Sequence, residues 1–176
     1  MTPAKAEHLP HDLMIWVLIL SELLVFGAGL WAFLAVRIGD PAGFAQAAAH
    51  LHPVAAGFGT MLLVTSGLFA AIGALQNRAL PLVIAAVGGA GFLWLKSHEW
   101  ASLSRDGINT ETHPFFTFYY LLTGFHAAHV VAGIILLATV SIRRRMDETS
   151  GAVAFWHMVD LVWVLLFPVI YLLGAL

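Results

Sequence analysis

The chain contains no cysteine, which excludes disulfides, thiolate metal sites and cysteine nucleophiles. Charge is almost as scarce. Asp, Glu, Lys and Arg make up 10% of its 176 residues, where a soluble domain carries about a quarter. Eight Lys plus Arg leave no basic face for nucleic acid, and a net charge of -2 points to no partner. No phosphate-cradling Gly-rich loop and no His-Glu-x-x-His pattern occurs, and no Ser-His-Asp constellation is favoured. What remains is apolar: 60% of the residues are hydrophobic. That composition belongs to an integral membrane protein.

A bilayer-crossing helix needs about 20 mostly apolar residues. Five stretches qualify, at about 12–37, 53–76, 79–103, 115–142 and 152–176. Strands are excluded, because lipid tolerates no open sheet edge and the segments are too long for barrel strands. The expected fold is all-α, one polytopic bundle of five transmembrane helices occupying 1–176 as a single domain. The first apolar run, Leu13 to Val36, is longer than the apolar region of a signal peptide, and no small-x-small cleavage site follows it. It is expected to be retained. Turn-formers mark the connections: Gly39-Asp40-Pro41, Gln76-Asn77-Arg78, Asp106-Gly107 with Asn109, and Asp147 to Gly151. Lys5, Arg78, Arg143, Arg144 and Arg145 fall on one side of the membrane and Arg37 and Arg105 on the other. That bias predicts a cytoplasmic N-terminus and a periplasmic C-terminus.

Against this background the ionisable residues inside the spans stand out: Glu22, Lys96, His98, Glu99, His126, His129, His157 and Asp160. Such groups are costly at membrane depth and face a bundle interior, a partner subunit or a water-filled cavity. At about 1.5 Å per residue, Glu22, Asp160 and His129 overlap in depth near the membrane middle. His126 and His129 share a helix face, as do His157 and Asp160. Glu22 is expected to meet His126 or His129 across a helix interface. Lys96 and Glu99 repeat the three-residue spacing, nearer the outer face with His98, and read as a solvated or interfacial pair. His126 and His129 read as hydrogen-bonded packing residues. Two imidazoles on one helix face cannot hold both sides of a haem, so a haem site would also need His157, and zinc would need further ligands. Trp16, Trp31, Trp100 and Trp156 suit the interfacial aromatic belt, and Trp94 and Trp163 are expected inside. Gly124, Gly133 and the four-residue pairs Gly67 with Ala71 and Ala85 with Gly89 predict close helix packing.

On these residues alone two classes stay open. Glu22, His129 and Asp160 suit a small stand-alone proton-coupled transporter. His126, His129 and His157 suit a membrane cytochrome b. A catalytic haem-copper subunit is excluded, since it needs more spans and more histidines.

Four segments carry a family resemblance. They are Ile19-Leu20-Ser21-Glu22-Leu23-Leu24-Val25-Phe26 and Lys96-Ser97-His98-Glu99-Trp100. The other two are Thr123-Gly124-Phe125-His126-Ala127-Ala128-His129-Val130 and Trp156-His157-Met158-Val159-Asp160-Leu161-Val162-Trp163. In this order they resemble subunit III of the haem-copper oxidases. The longest members of that family have seven spans, and this chain lacks the first two. Five-span forms occur among bacterial oxidases and among the accessory proteins of nitric oxide reductase. Lys96 and the aromatic run at 115–120 look more like the latter.

The resemblance implies a non-catalytic subunit of the bacterial inner membrane, with no haem, copper or other metal of its own. Haem and copper are expected in a catalytic subunit I-type partner, which reduces oxygen to water or nitric oxide to nitrous oxide. The chain would support the partner's assembly, durability or proton uptake. Bound phospholipid is implied in a groove near Glu22 and His126.

Overall fold

The computed structural model describes residues 9–143 and 149–173. Lys5, Arg144 and Arg145 of the charge bias, and residues 174–176 of the last span, lie outside the described residues. Six helices follow one another. They are α1 (Leu9–Gly39), α2 (Pro41–Ala48), α3 (Pro53–Gln76), α4 (Ala79–Arg105), α5 (Pro114–Arg143) and α6 (Thr149–Phe167). The last runs on into a π-helical segment, Pro168–Leu173. All except α2 are long and apolar enough to cross a membrane. No strand occurs among the described residues.

Local chemistry sets the boundaries. Gly39-Asp40-Pro41 was expected only as a connection, yet it starts a helix. The Asp40 carboxylate accepts the Gly43 N–H at 2.9 Å, and Pro41 takes the first helical position, where a missing N–H costs nothing. His113 lies 3.2 Å from the same carboxylate and ties this turn to the start of α5. The Gly43 N–H and His113 hold the Asp40 carboxyl below the usual carboxylate range. At the end of α3, Asn77 turns left-handed (φ 52°) and the Arg78 N–H closes on the Gly73 carbonyl. At the end of α4, Gly107 (φ +75°) lets the Ile108 N–H reach the Leu103 carbonyl. Pro168 lacks the N–H that an α-turn needs and its ring crowds the preceding turn, and the chain passes there into the wider π-helical winding.

The helices assemble around Trp156. Its indole is fully buried and lies between Gly89 of α4 and Gly133 of α5. A Cβ at either glycine would fall onto the ring. The indole N–H donates to the Ser66 hydroxyl of α3 at 3.0 Å, and that hydroxyl donates to the Ala85 carbonyl of α4 at 2.8 Å. One side chain of α6 thus registers three other helices. Gly67 of α3 similarly makes room for the Asp160 carboxylate of α6. At the other end of the bundle Phe33, Phe44, Phe115 and Phe116 pack α1 and α2 onto α5.

Three expectations need correcting. Trp156 is not in an interfacial belt, because two bare helix faces open an interior slot for it. Trp94, expected inside, is exposed, since its face of α4 meets no other helix. Gly124 has nothing within 4 Å of a would-be side chain and lines an open groove with Trp100 and Tyr120. It is no packing contact.

Filling the indole slot should be costly. Gly133→Leu is expected to destabilise the bundle by about 1–3 kcal/mol, the usual range for overpacking. Gly27→Leu, where space is open, should change little. Thermal unfolding in mild detergent, followed by tryptophan fluorescence, compares the two.

Candidate functional site

The buried ionisable residues form separate centres. In the first, Glu22 of α1 and His129 of α5 approach to 3.1 Å, carboxylate Oε2 to imidazole Nε2. His129 also places Nδ1 2.8 Å from the Phe125 carbonyl of its own helix. A carbonyl only accepts, so Nδ1 carries a hydrogen. Glu22 Oε2 is buried and has no hydrogen-bond partner among the described residues, so the contact with Nε2 is one of proximity and charge. Phe26, Phe125 and Phe155 surround the ring and keep the pair in an apolar setting.

His126, one turn away, does not join this pair. It is fully buried, with its ring stacked on Trp163 (centroids 5.1 Å) and edge-on to Phe92 (5.7 Å) and Phe26 (6.3 Å). Neither ring nitrogen has a hydrogen-bond partner among the described residues. The expectation of a hydrogen-bonded packing residue is therefore corrected, since His126 packs as an aromatic disc.

His157 and Asp160 form the second centre, Nδ1 to Oδ2, at 3.7 Å. Asp160 is buried against α3, and its Oδ1 has no partner among the described residues. His157 is half exposed and borders a groove of about 370 Å³ between α1 and α6, with Trp16, Ile19, Ser150 and Met158. No hydrogen bond or ion pair among the described residues links this centre to Glu22 or His129. The five residues expected as one polar cluster thus divide into Glu22 with His129, His157 with Asp160, and an enclosed His126. Helical spacing places side chains on a face, but the direction that each face takes depends on the crossing of α1, α5 and α6.

The third centre departs furthest from expectation. Lys96 and Glu99 pair at 2.7 Å, but they are buried. The π-helical segment swings Tyr171 inward, so that its hydroxyl donates to Glu99 Oε2 at 2.7 Å and accepts from Lys96. The Lys96 ammonium also lies 4.9 Å from the ring centres of Tyr119, Tyr171 and Trp163, where ring quadrupoles replace part of its hydration. Local spacing does show the Lys96–Glu99 pair. Tyr119 and Tyr171 were missed, because they arrive from α5 and from beyond Pro168, and the only hint was a proline inside an apolar span. His98 leaves the group and lies exposed against Trp94, with ring centroids 4.5 Å apart.

Among the described residues no three His, Cys, Asp or Glu side chains converge as a metal would require. His126 is enclosed by aromatic rings, while His157 opens to the groove between α1 and α6.

No protein-family model matches the chain. Individual relatives do. The chain is 30% identical over 175 residues to cytochrome c oxidase subunit 3 of Bacillus sp. (strain PS3), covering 90% of this chain and 84% of that protein. It is 31% identical over 178 residues to cytochrome c oxidase subunit 3 of Bacillus subtilis (strain 168), with the same coverage. It is 27% identical over 196 residues to heme-copper oxidase subunit I+III of Aeropyrum pernix, covering 97% of this chain and 24% of that longer protein.

Two double comparisons probe the centres. Lys96→Met or Glu99→Met alone leaves a buried charge unpaired and should cost about 3–5 kcal/mol, whereas the double variant removes both charges and should cost less than either. Unfolding midpoints in detergent form the cycle, and additive losses would contradict a buried pair. At the first centre, the amide of Glu22→Gln can still donate to His129 Nε2, whereas Glu22→Leu cannot. The leucine variant should be the less stable by about 1–3 kcal/mol, and equal stabilities would contradict a polar contact between the two side chains.

Proposed function

The chain belongs to the cytochrome c oxidase subunit 3 family, and we propose that it serves as the non-catalytic third subunit of a haem-copper terminal oxidase. The observation that carries this reading is the near end-to-end match to subunit 3 relatives. In one relative the matching part is joined to subunit I within a single chain. The partner on this reading is a subunit I-type membrane protein, which holds haem and copper and performs the reduction of oxygen. The chain is a multi-pass membrane protein. We place it in the bacterial cytoplasmic membrane with the N-terminus inside, on the balance of Lys and Arg between the two sides.

The geometry suggests what such a subunit contributes. A bundle keyed by one indole is a stiff wall for a neighbour. The Glu22–His129 pair sets a carboxyl and an imidazole 3.1 Å apart close to the α1 surface, two groups able to take up and release protons for a neighbour's uptake path. The groove beside His157 has an apolar lining of α1 and α6 side chains, which suits a phospholipid chain. A nitric oxide reductase complex is the second reading, favoured by Lys96 and the aromatic run at 115–120.

Purification of the tagged chain from native membranes in mild detergent tests the proposal. The expected result is a stoichiometric complex with a haem-bearing polytopic protein that consumes oxygen. A complex that consumes nitric oxide and not oxygen would move the chain to the second reading. A chain recovered alone that acidifies liposomes, or that shows its own Soret band, would overturn both.

A further inference from the structure

We infer that a single ordered water molecule is bound between α3, α4 and α6, bridging Glu99 Oε1 and Lys96 Nζ. Three independent observations meet there. Ala56 and Gly59 of α3, Phe92, Lys96 and Glu99 of α4, and Trp163 of α6 line a small, partly open cavity of about 20 Å³. About 10–15 Å³ of such volume is enough for one water molecule, provided that polar groups line it. The second observation is Glu99 itself. Its side chain is only 9% exposed, and its two oxygens are treated unequally. Oε2 takes both the Lys96 ammonium and the Tyr171 hydroxyl, whereas Oε1 is buried and accepts nothing from the described residues. A carboxylate oxygen in that position requires a donor.

The third observation is the charge arrangement, which selects the occupant. A metal cation would sit beside an ammonium already 2.7 Å from the same carboxylate. An anion would face Glu99. An apolar occupant would leave Oε1 without a donor. A small neutral molecule that both donates and accepts satisfies every wall, and water is the one always at hand. It donates to Glu99 Oε1 and shares the third N–H of the ammonium with the Tyr119 hydroxyl, which lies at the long distance of 3.4 Å, the other two N–H groups going to Glu99 Oε2 and the Tyr171 hydroxyl. The site rests on this geometry alone and is independent of the oxidase reading.

Radiolytic hydroxyl labelling of the full chain, in the complex purified from native membranes, tests the site. X-rays split bound water in place and oxidise the side chains that touch it, and mass spectrometry reads the products. Trp163 and Trp156 are both buried, but only Trp163 lines the cavity. Phe92 and Phe33 form a second matched pair. Trp163 should be oxidised several-fold more than Trp156, and Phe92 several-fold more than Phe33. In water enriched in oxygen-18 the label should enter these two residues after a lag, as the bound molecule exchanges. Gly59→Ala, whose new methyl would point into the cavity 3.3 Å from Phe92, should bring each pair toward equality. Equal oxidation within both pairs in the unaltered chain would overturn the site, whatever the variant does. So would label in Trp163 and Phe92 that appears with no lag and survives Gly59→Ala.

Discussion

The placement of Trp156 between two glycines is the contact on which the rest of the bundle depends. In lipid the hydrophobic effect gives helices no reason to associate, so close fit and internal hydrogen bonds must do it. Trp156 supplies both. Its rings fill the slot left by Gly89 and Gly133, and its N–H ends in a chain of hydrogen bonds through Ser66 to the Ala85 carbonyl. With α3, α4, α5 and α6 held in that register, Asp160 seats on Gly67. Trp163, two turns along, reaches His126 and the Lys96 ammonium.

The ionisable centres solve the cost of burial in different ways. Glu22 lies against the His129 imidazole at 3.1 Å, within a ring of phenylalanines. Lys96 and Glu99 keep opposite charges and spread them over two tyrosines and an indole. Asp160 leans on a half-exposed histidine that borders a groove. His126 has no hydrogen-bond partner among the described residues and is treated by its neighbours as one more ring. The Glu22–His129 and His157–Asp160 pairs each keep one partly exposed member, Glu22 and His157.

The outer faces of the bundle are strongly apolar. Long apolar side chains cover the outer faces of α1 and α3, Trp16, Leu20, Leu24 and Trp31 on one and Phe58, Met61 and Leu68 on the other. Lipid accepts such faces, and so does another membrane subunit.

Much of this was legible in the chain itself. Segment length and apolarity determined five membrane-crossing helices, because a backbone in hydrocarbon has almost no alternative to the helix. Rarity made Glu22, His129, Asp160 and their neighbours conspicuous, because charge at that depth is costly. Three-residue spacing was enough to pair Lys96 with Glu99. Tertiary structure alone decided which histidine Glu22 would meet. It also decided that Trp156 lies in the core while Trp94 faces outward, that His98 stands apart from Lys96, and that Tyr119 and Tyr171 close over the lysine. The physical reason is one of reach. Periodicity ranks residues around their own helix axis, but the direction of each face is set by crossings with other helices, and those follow from glycine slots and a proline-widened turn that no local window contains.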